Sequence, residues 1–370
     1  MQKNDVIVLG AGINGAGIAR LLALQGKQVL LLDKTGVAAG TSSKSSRLIH
    51  GGLRYLETGN LKLVREALID RQRLTEMYPD LVQYKPFYVP VYADSPRPPW
   101  MIRAGLLLYD ILAASRTPMK AGSIELLDFL THFPALHPRG LRRVFHYPDA
   151  KTDDAALTRR VVEEFHAAGG RSIAPIRVET LNWGSDGVTI ESDQGSFRSS
   201  HLVNATGPWI DEVNRQHGLP ARFQIRKVSG IHVFIKGLLV RDLLFLQTAS
   251  KRIFFVIPEP ENDQTIIGTT EREEKKPMDA ISAQSADVAY VLNAINAYLN
   301  ADDQLTRADV IDVSIGVRAL VQKQGNPTDL SREYKLDLHK RGSSRLLHVF
   351  GGKLTTYLSL AEKAVKTLNL

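Results

Sequence analysis

The first 33 residues constrain the fold more than any other stretch. Asp5 to Leu9 is a short apolar run that reads as a buried strand. Gly10-Ala11-Gly12-Ile13-Asn14-Gly15 follows at once and opens a helix rich in Ala and Leu, which runs to Leu24 and ends at Gly26. Gln28 to Leu32 is a second strand, closed by Asp33 and Lys34. Strand, glycine turn, helix, strand and acid in this order form a dinucleotide-binding fingerprint in its expected setting. Gly10 serves the tight turn, and Gly12 lets the backbone reach a pyrophosphate held by the helix N-terminus. Gly15 permits close helix–strand packing, and Asp33 can accept hydrogen bonds from an adenosine ribose. A plain glycine turn is the alternative, and the placement of the acid argues against it.

A second stretch carries the chemistry. Arg47-Leu48-Ile49-His50-Gly51-Gly52-Leu53-Arg54-Tyr55-Leu56-Glu57 follows the polar run Gly40-Thr41-Ser42-Ser43-Lys44-Ser45-Ser46. His50, Arg54 and Tyr55 are residue types that handle a proton, an anion and a hydroxyl. Gly51 and Gly52 let the backbone approach something flat. The stretch reads as the place where a flavin ring meets a small phosphorylated substrate. The later course of the chain favours FAD over NAD. Ala205-Thr206-Gly207 ends a strand some 200 residues after the fingerprint, and Gly351-Gly352 marks another return. Two-domain flavoproteins come back to the FAD domain in this way.

These segments resemble the signature of FAD-dependent glycerol-3-phosphate dehydrogenases. The likeness recurs in Val203 to Trp209, Ile266 to Thr270, Ser314 to Arg318 and Val349 to Tyr357, in family order from Asp5 to about Lys366. The resemblance implies a Rossmann-like FAD-binding domain interleaved with a substrate domain on a mixed or antiparallel sheet, as in D-amino-acid-oxidase-like flavoproteins. It implies non-covalent FAD, oxidation of glycerol 3-phosphate, and quinone as the acceptor. Arg54 and Arg318 become the phosphate anchors, since a guanidinium matches phosphate oxygens in bidentate fashion. Arg332 is a third candidate. His50 is the proton acceptor, with Lys353 the alternative, and the sequence does not choose between them. Tyr55, Thr270 and Lys353 are placed at the substrate hydroxyls. The cofactor side comprises Gly10, Gly12, Ile13, Asn14, Gly15, Asp33, Lys34, Thr41, Ser42, Ser43, Ser46, Gly51, Gly52, Leu53, Ala205, Thr206, Gly207, Trp209, Gly352, Lys353 and Leu354. Thr355 and Thr356 fall near the flavin at the start of the last helix, where free N–H groups can meet its anionic side. Family members usually continue into a helical C-terminal domain, which a chain stopping at Leu370 is expected to lack.

The expected division assigns residues 1–83, 142–223 and 340–370 to the FAD domain, and 84–141 and 224–339 to the substrate domain. Asn60 to Tyr78 reads as a helix whose charged positions face solvent. Trp100 to Ala114 is apolar nearly all round and reads as a buried core helix, with a membrane- or partner-facing helix as the lesser alternative.

Composition enters as exclusion. The chain has no cysteine, which rules out disulfides, thiol catalysis and thiolate metal sites. No His and carboxylate grouping demands a metal. A net charge of +8, from 47 basic and 39 acidic residues, favours anionic partners, but no long basic block suggests nucleic acid. No signal peptide and no apolar run of about 20 residues is visible. A cytoplasmic protein is expected, in reversible contact with an anionic membrane, with room for a homodimer. Rival readings are an oxygen-using oxidase of a hydroxy or amino acid, against which the paired arginines argue, and a flavin-binding protein without turnover.

Overall fold

Val6, Ile7 and Val8 are fully buried because the strand Lys3–Leu9 has parallel neighbours on both sides. In this computed structural model, which describes residues 3–57, 59–114, 117–323, 330–331 and 333–370, that strand lies inside an eight-stranded sheet. The order along it is Lys335–Arg341, Ser344–Phe350, Gly195–Asn204, Lys3–Leu9, Val29–Leu32 and Arg171–Ile173. All are parallel except the edge hairpin that joins Lys335–Arg341 to Ser344–Phe350. The hairpin Val178–Gly184 and Gly187–Ser192 extends Gly195–Asn204. Strands buried on both faces need continuous apolar runs, which is why Val-Ile-Val-Leu and Val-Leu-Leu-Leu occur here.

The helix Ile13–Leu24 packs on this sheet beside Asp154–Ala167 and Tyr357–Leu368. The last helix is strongly two-sided: Leu358, Leu360, Ala361, Ala364, Val365 and Leu368 are buried, while Glu362, Lys363 and Lys366 reach outward.

The second sheet has eleven strands, ordered Leu330–Ser331, Val310–Lys323, Phe223–Lys236, Gln264–Gly268, Ile253–Glu259, Leu243–Gln247, Val82–Tyr92, Leu141–Thr152 and Leu48–Ile49. Short strands Arg272–Glu274 and Gly122–Ile124 pair at its side. Pairing is antiparallel except between Leu243–Gln247 and Val82–Tyr92, so the sheet is mixed.

Sheet membership departs from the expected boundaries at two places. Leu141–Thr152 pairs along its whole length with Val82–Tyr92 in the second sheet, although most of it was expected with the FAD domain. Lys335–Arg341 pairs with Ser344–Phe350 in the first sheet, although most of it was expected with the substrate domain. In both cases an antiparallel partner decides the sheet: Val82–Tyr92, distant in sequence, for Leu141–Thr152, and the adjoining hairpin strand Ser344–Phe350 for Lys335–Arg341.

Two helix expectations need correction. In Leu61–Met77, Asp70 and Arg71 are fully buried rather than solvated. Pro99–Ala113 buries only Ile102, Leu106, Tyr109 and Ala113, and leaves Trp100 69%, Leu107 63% and Ile111 63% exposed. Apolar residues on every side of a helix suggest burial, but here only one face of it meets the protein.

Candidate active site

The two sheets meet where the C-terminal ends of Lys3–Leu9, Gly195–Asn204 and Ser344–Phe350 come together. A Cβ on Gly15 would lie 1.9 Å from the Gly10 carbonyl oxygen, so only glycine allows the helix this close to the strand end. Ala205 donates its N–H to the Leu9 carbonyl at 2.9 Å, which brings the return segment to the same place. Gly352, at φ +101°, faces Asn14 so closely that a Cβ there would sit 2.3 Å from Asn14 Nδ2. That amide donates to the Gly351 carbonyl at 3.3 Å. Segments 200 and 340 residues apart thus form one cradle around the first turn, with the separations read along the chain.

The cradle contains buried polar atoms left without a hydrogen bond among the described residues: Asn14 Oδ1, Lys353 Nζ and Thr356 Oγ1. Buried orphans are costly unless a ligand meets them. Asp33 accepts from the N–H groups of Ala11 at 2.8 Å, Thr35 at 2.9 Å and Gly36 at 3.0 Å, and a carboxylate has capacity to accept more. Lys34 pairs with Asp279 at 3.0 Å and lies 5.0 Å from the centre of the Trp209 ring, whose N–H donates to the same carboxylate at 3.2 Å. Leu53 and Leu354 are partly buried beside these elements.

The polar run is tied into the protein. All four of its singled-out hydroxyls have protein partners. Thr41 donates to the Val317 carbonyl at 2.8 Å, and Ser42 accepts from the Ile13 N–H at 2.9 Å. Ser43 donates to the Gly40 carbonyl at 3.3 Å, and Ser46 bonds His232 at 2.9 Å. The run therefore ties the first helix to the second sheet. Thr206 also bonds inward, to Asn204 Oδ1 at 2.7 Å.

His50 leads the signature loop out of Leu48–Ile49. Its N–H donates to Thr355 Oγ1 at 3.2 Å, so the loop is pinned to the start of the last helix. Gly51 is pinned from behind: its N–H donates to the Tyr109 hydroxyl at 2.8 Å. That hydroxyl donates to Asp149, which also holds the fully buried Arg71. Gly52 turns the chain at φ +78° into the 3-10 turn Leu53–Leu56, which carries Arg54 and Tyr55.

Burial, then the charges of Lys353, Arg54 and Arg71, push the His50 imidazole down to about 4, so it is neutral at physiological pH. Burial likewise pushes Lys353 down to about 8, partly opposed by Glu333 and Glu66. Its ammonium lies 3.9 Å from the centre of the Tyr55 ring, a cation–π contact that brings two expected residues together. Burial raises the Tyr55 phenol above its ordinary value.

Arg54 and Arg318 also come together. Arg318 projects from Val310–Lys323, bonds Thr269 Oγ1 at 3.1 Å and the Thr270 carbonyl at 3.4 Å, and has its proton affinity lowered by burial. Both arginines lie near one carboxylate, Glu271, and so does Arg252. Neither Glu271 nor Arg252 was singled out from sequence. Glu271 directly follows Thr269-Thr270 and was within reach of that signal, whereas Arg252 stands in no motif. The Thr270 hydroxyl accepts from the Ile231 N–H at 3.1 Å and keeps its own proton to donate. Arg332 lies outside the described residues. His232, buried against Ser46 and pushed down to about 3 by burial, was also missed. Among the described residues no group of three or more His, Cys, Asp or Glu could hold a metal, and no helix is long and apolar enough to cross a membrane.

Residues 5–358 match the family described as FAD dependent oxidoreductase. The chain belongs to that family. It is 38% identical over 382 residues to the aerobic glycerol-3-phosphate dehydrogenase of Escherichia coli (strain K12), covering 100% of this chain and 74% of the relative. It is 34% identical to the D-erythritol 1-phosphate dehydrogenase of Brucella abortus (strain 2308), covering 98% of this chain and 73% of the relative. The fold matches the glycerol-3-phosphate dehydrogenase from Bacillus halodurans complexed with FAD, with a TM-score of 0.76 and 23% identity, over 99% of this chain and 64% of that one. The chain is therefore an FAD-dependent oxidoreductase, related to the glycerol-3-phosphate dehydrogenases. The orphaned atoms of Asn14, Lys353 and Thr356 and the glycine-lined cradle fit that cofactor.

Proposed function

We propose that the chain oxidises sn-glycerol 3-phosphate to dihydroxyacetone phosphate. The observation that carries this reading is the convergence of Arg54 and Arg318 at one point beside the loop of His50 and Tyr55. Two guanidinium groups from separate elements suit a phosphate, and a proton acceptor and a buried cation nearby suit a carbinol. FAD, when bound, accepts the hydride from the carbinol carbon. Gly10, Gly12, Ile13, Asn14, Gly15, Asp33, Ala205, Gly207, Gly352 and Thr356 would hold it.

The protein groups divide the remaining work. Arg54 and Arg318 hold the phosphate and so fix the carbinol end. Tyr55 and the Thr270 hydroxyl orient the substrate hydroxyls. Neutral His50 accepts the hydroxyl proton. A dianion bound beside Arg54 offsets one of the charges that hold its proton affinity down, so the base strengthens when substrate is present. Lys353, still a cation at pH 7, stabilises negative charge as the proton leaves.

We assign quinone as the acceptor and peripheral contact with an anionic membrane as the way to reach it. The exposed Trp100, Leu107 and Ile111 add an apolar contact to the electrostatic one expected from the +8 charge. Anaerobic addition of sn-glycerol 3-phosphate to the holoenzyme tests the chemistry. Bleaching of the flavin absorbance is expected, with glycerol and glycine inactive. Bleaching by D-erythritol 1-phosphate alone would move the assignment to a longer polyol phosphate, and no bleaching by any phosphate ester would overturn it.

A further inference from the structure

Glu271 stands among three guanidinium groups. Its Oε1 lies 3.6 Å from Arg54 Nη2 and 3.9 Å from Arg318 Nη1, and its Oε2 lies 3.5 Å from Arg252 Nη2. A charge-assisted N–H···O bond closes to about 2.7–2.9 Å, so among the described residues the carboxylate is held by the field of these arginines and not by formed hydrogen bonds with them. The arginines come from three places: the 3-10 turn Leu53–Leu56, the tight turn before Ile253–Glu259, and the strand Val310–Lys323. The turn that presents Arg252 is fixed, because Thr248 donates its N–H to the Arg252 carbonyl at 2.8 Å and accepts from the Arg252 N–H at 3.2 Å. Arg252 Nη2 is buried, yet makes no hydrogen bond among the described residues. Its guanidinium also lies 5.6 Å from the centre of the Tyr290 ring.

Charge decides what this cluster lacks. Among the described residues, three guanidinium groups and one carboxylate leave +2, from three minus one. A carboxylate ligand that takes the place of Glu271 supplies the same −1 and leaves the cluster at +2. A phosphate monoester in that place supplies up to −2 near neutral pH and lowers the charge to +1, and its three terminal oxygens allow one contact with each guanidinium. Without any anion the three cations repel one another, so a negative group among them stabilises the resting protein. Glu271 does so loosely, and its side chain is 36% exposed, which leaves it a route outward.

We infer that Arg252 is a third phosphate-binding residue, and that Glu271 is a resident placeholder which the substrate phosphate displaces from among Arg54, Arg252 and Arg318. The inference rests on the phosphate-ester reading above and adds a mechanism of selection and release. The placeholder spares the empty site the repulsion of three bare cations. It also competes with substrate, and its return speeds product departure.

The test uses the holoenzyme with inorganic phosphate as the probe, read from perturbation of the bound-flavin spectrum at low salt. Glu271→Gln keeps the shape and removes the competing charge, so phosphate should bind about 10-fold tighter. Acetate, with half the charge, should gain only about 3-fold, because Coulomb energy scales with ligand charge. Arg252→Met should weaken phosphate about 10-fold or more, and Arg252→Lys should recover part of the loss. Flavin content and thermal midpoint establish that each variant is folded. Should Arg252→Met fail to fold, Arg252→Lys and Glu271→Gln still decide the matter. Unchanged or weaker phosphate binding in Glu271→Gln would show that Glu271 positions the arginines, and would overturn the placeholder. Unchanged binding in the Arg252 variants would remove Arg252 from the site. The two readings fail separately. Wild-type phosphate binding with the expected variant pattern, but no anaerobic bleaching by sn-glycerol 3-phosphate, would sink the substrate assignment and leave the anion site standing.

Discussion

Two arginine clusters flank the signature loop, and they are built on opposite principles. Behind the loop, Arg71 is fully buried, bonds the Pro148 carbonyl at 2.6 Å and contacts Asp149, which also accepts from Tyr109 at 2.8 Å. In front of it, Arg54, Arg252 and Arg318 share one half-exposed carboxylate at 3.5–3.9 Å. The rear cluster pairs one cation with one anion in contact, away from water. The front cluster has more cation than anion and open geometry. A charge-balanced pair in direct contact fixes the backbone of Gly51, although Arg71 Nε and Nη2 make no hydrogen bond among the described residues, and a loose, unbalanced cluster awaits a ligand. The contrast separates architecture from recognition without reference to any relative.

The largest effect should come from opening the closed cluster. Asp149→Ala leaves Arg71 as an uncompensated buried charge and the Gly51 loop without its rear support. A loss of about 3–5 kcal/mol in unfolding free energy is expected. Denaturant unfolding of the holoenzyme measures it, and a loss below about 1 kcal/mol would mean that the rear cluster is not structural.

Next comes acid. His348 is fully buried, with Nε2 at 2.9 Å from the Pro220 carbonyl, and burial pushes it down to about 4. The unfolded chain takes up a proton below the ordinary value of about 6.5, whereas the folded chain does not until about 4. Stability is therefore fully present above about pH 6.5 and falls as pH drops toward 4, by about 3 kcal/mol for this one group. His50 has the same sign but sits beside the open cluster. Added phosphate should soften the acid loss due to His50 and leave that due to His348 unchanged. Unfolding of His348→Asn across this pH range, with and without phosphate, distinguishes the two contributions.

The open cluster should answer through substrate, not stability. Arg318→Ala removes a charge-assisted contact worth roughly 1.5–3 kcal/mol, which implies a KM for sn-glycerol 3-phosphate about 10- to 150-fold higher. The KM for glycerol should barely move. Equal effects on both would place Arg318 away from the phosphate.

These regions were unequally legible in sequence. The fingerprint glycines, Asp33, His50, Arg54, Tyr55, Arg318 and Lys353 stand in motifs whose spacing announces them, and they share one region of the structure. Arg71 and Asp149 carry no such signal. They are 78 residues apart, and a helix surface dotted with charges looks solvated until its partner strand is known. Arg252 is equally silent, because a lone basic residue in a turn gains meaning only from Glu271 and Tyr290 across space. The protein partners of the hydroxyl run from Thr41 to Ser46 were equally silent. Its composition suits a cofactor, but chemistry alone does not say that Val317, Ile13, Gly40 and His232 reach it first.

The smallest effect on stability belongs to the exposed face of Pro99–Ala113. Trp100 and Leu107 are 69% and 63% exposed, so replacing them with serine removes little burial. Unfolding free energy should change by no more than about 0.5 kcal/mol each, as for surface positions without special contacts. The same helix packs through Ile102, Leu106 and Tyr109 onto the core that supports the signature loop, so its outer face sits one helix diameter behind the site. If this face contacts a bilayer, the double Trp100→Ser, Leu107→Ser variant should lose the salt-resistant part of its sedimentation with anionic vesicles. The salt-sensitive part, set by basic residues at about 1 kcal/mol each near the surface, should survive. Equal sedimentation of both proteins at every salt concentration would assign membrane contact to charge alone. No sedimentation of the unsubstituted protein at low salt would remove the membrane from the account and point to a soluble acceptor.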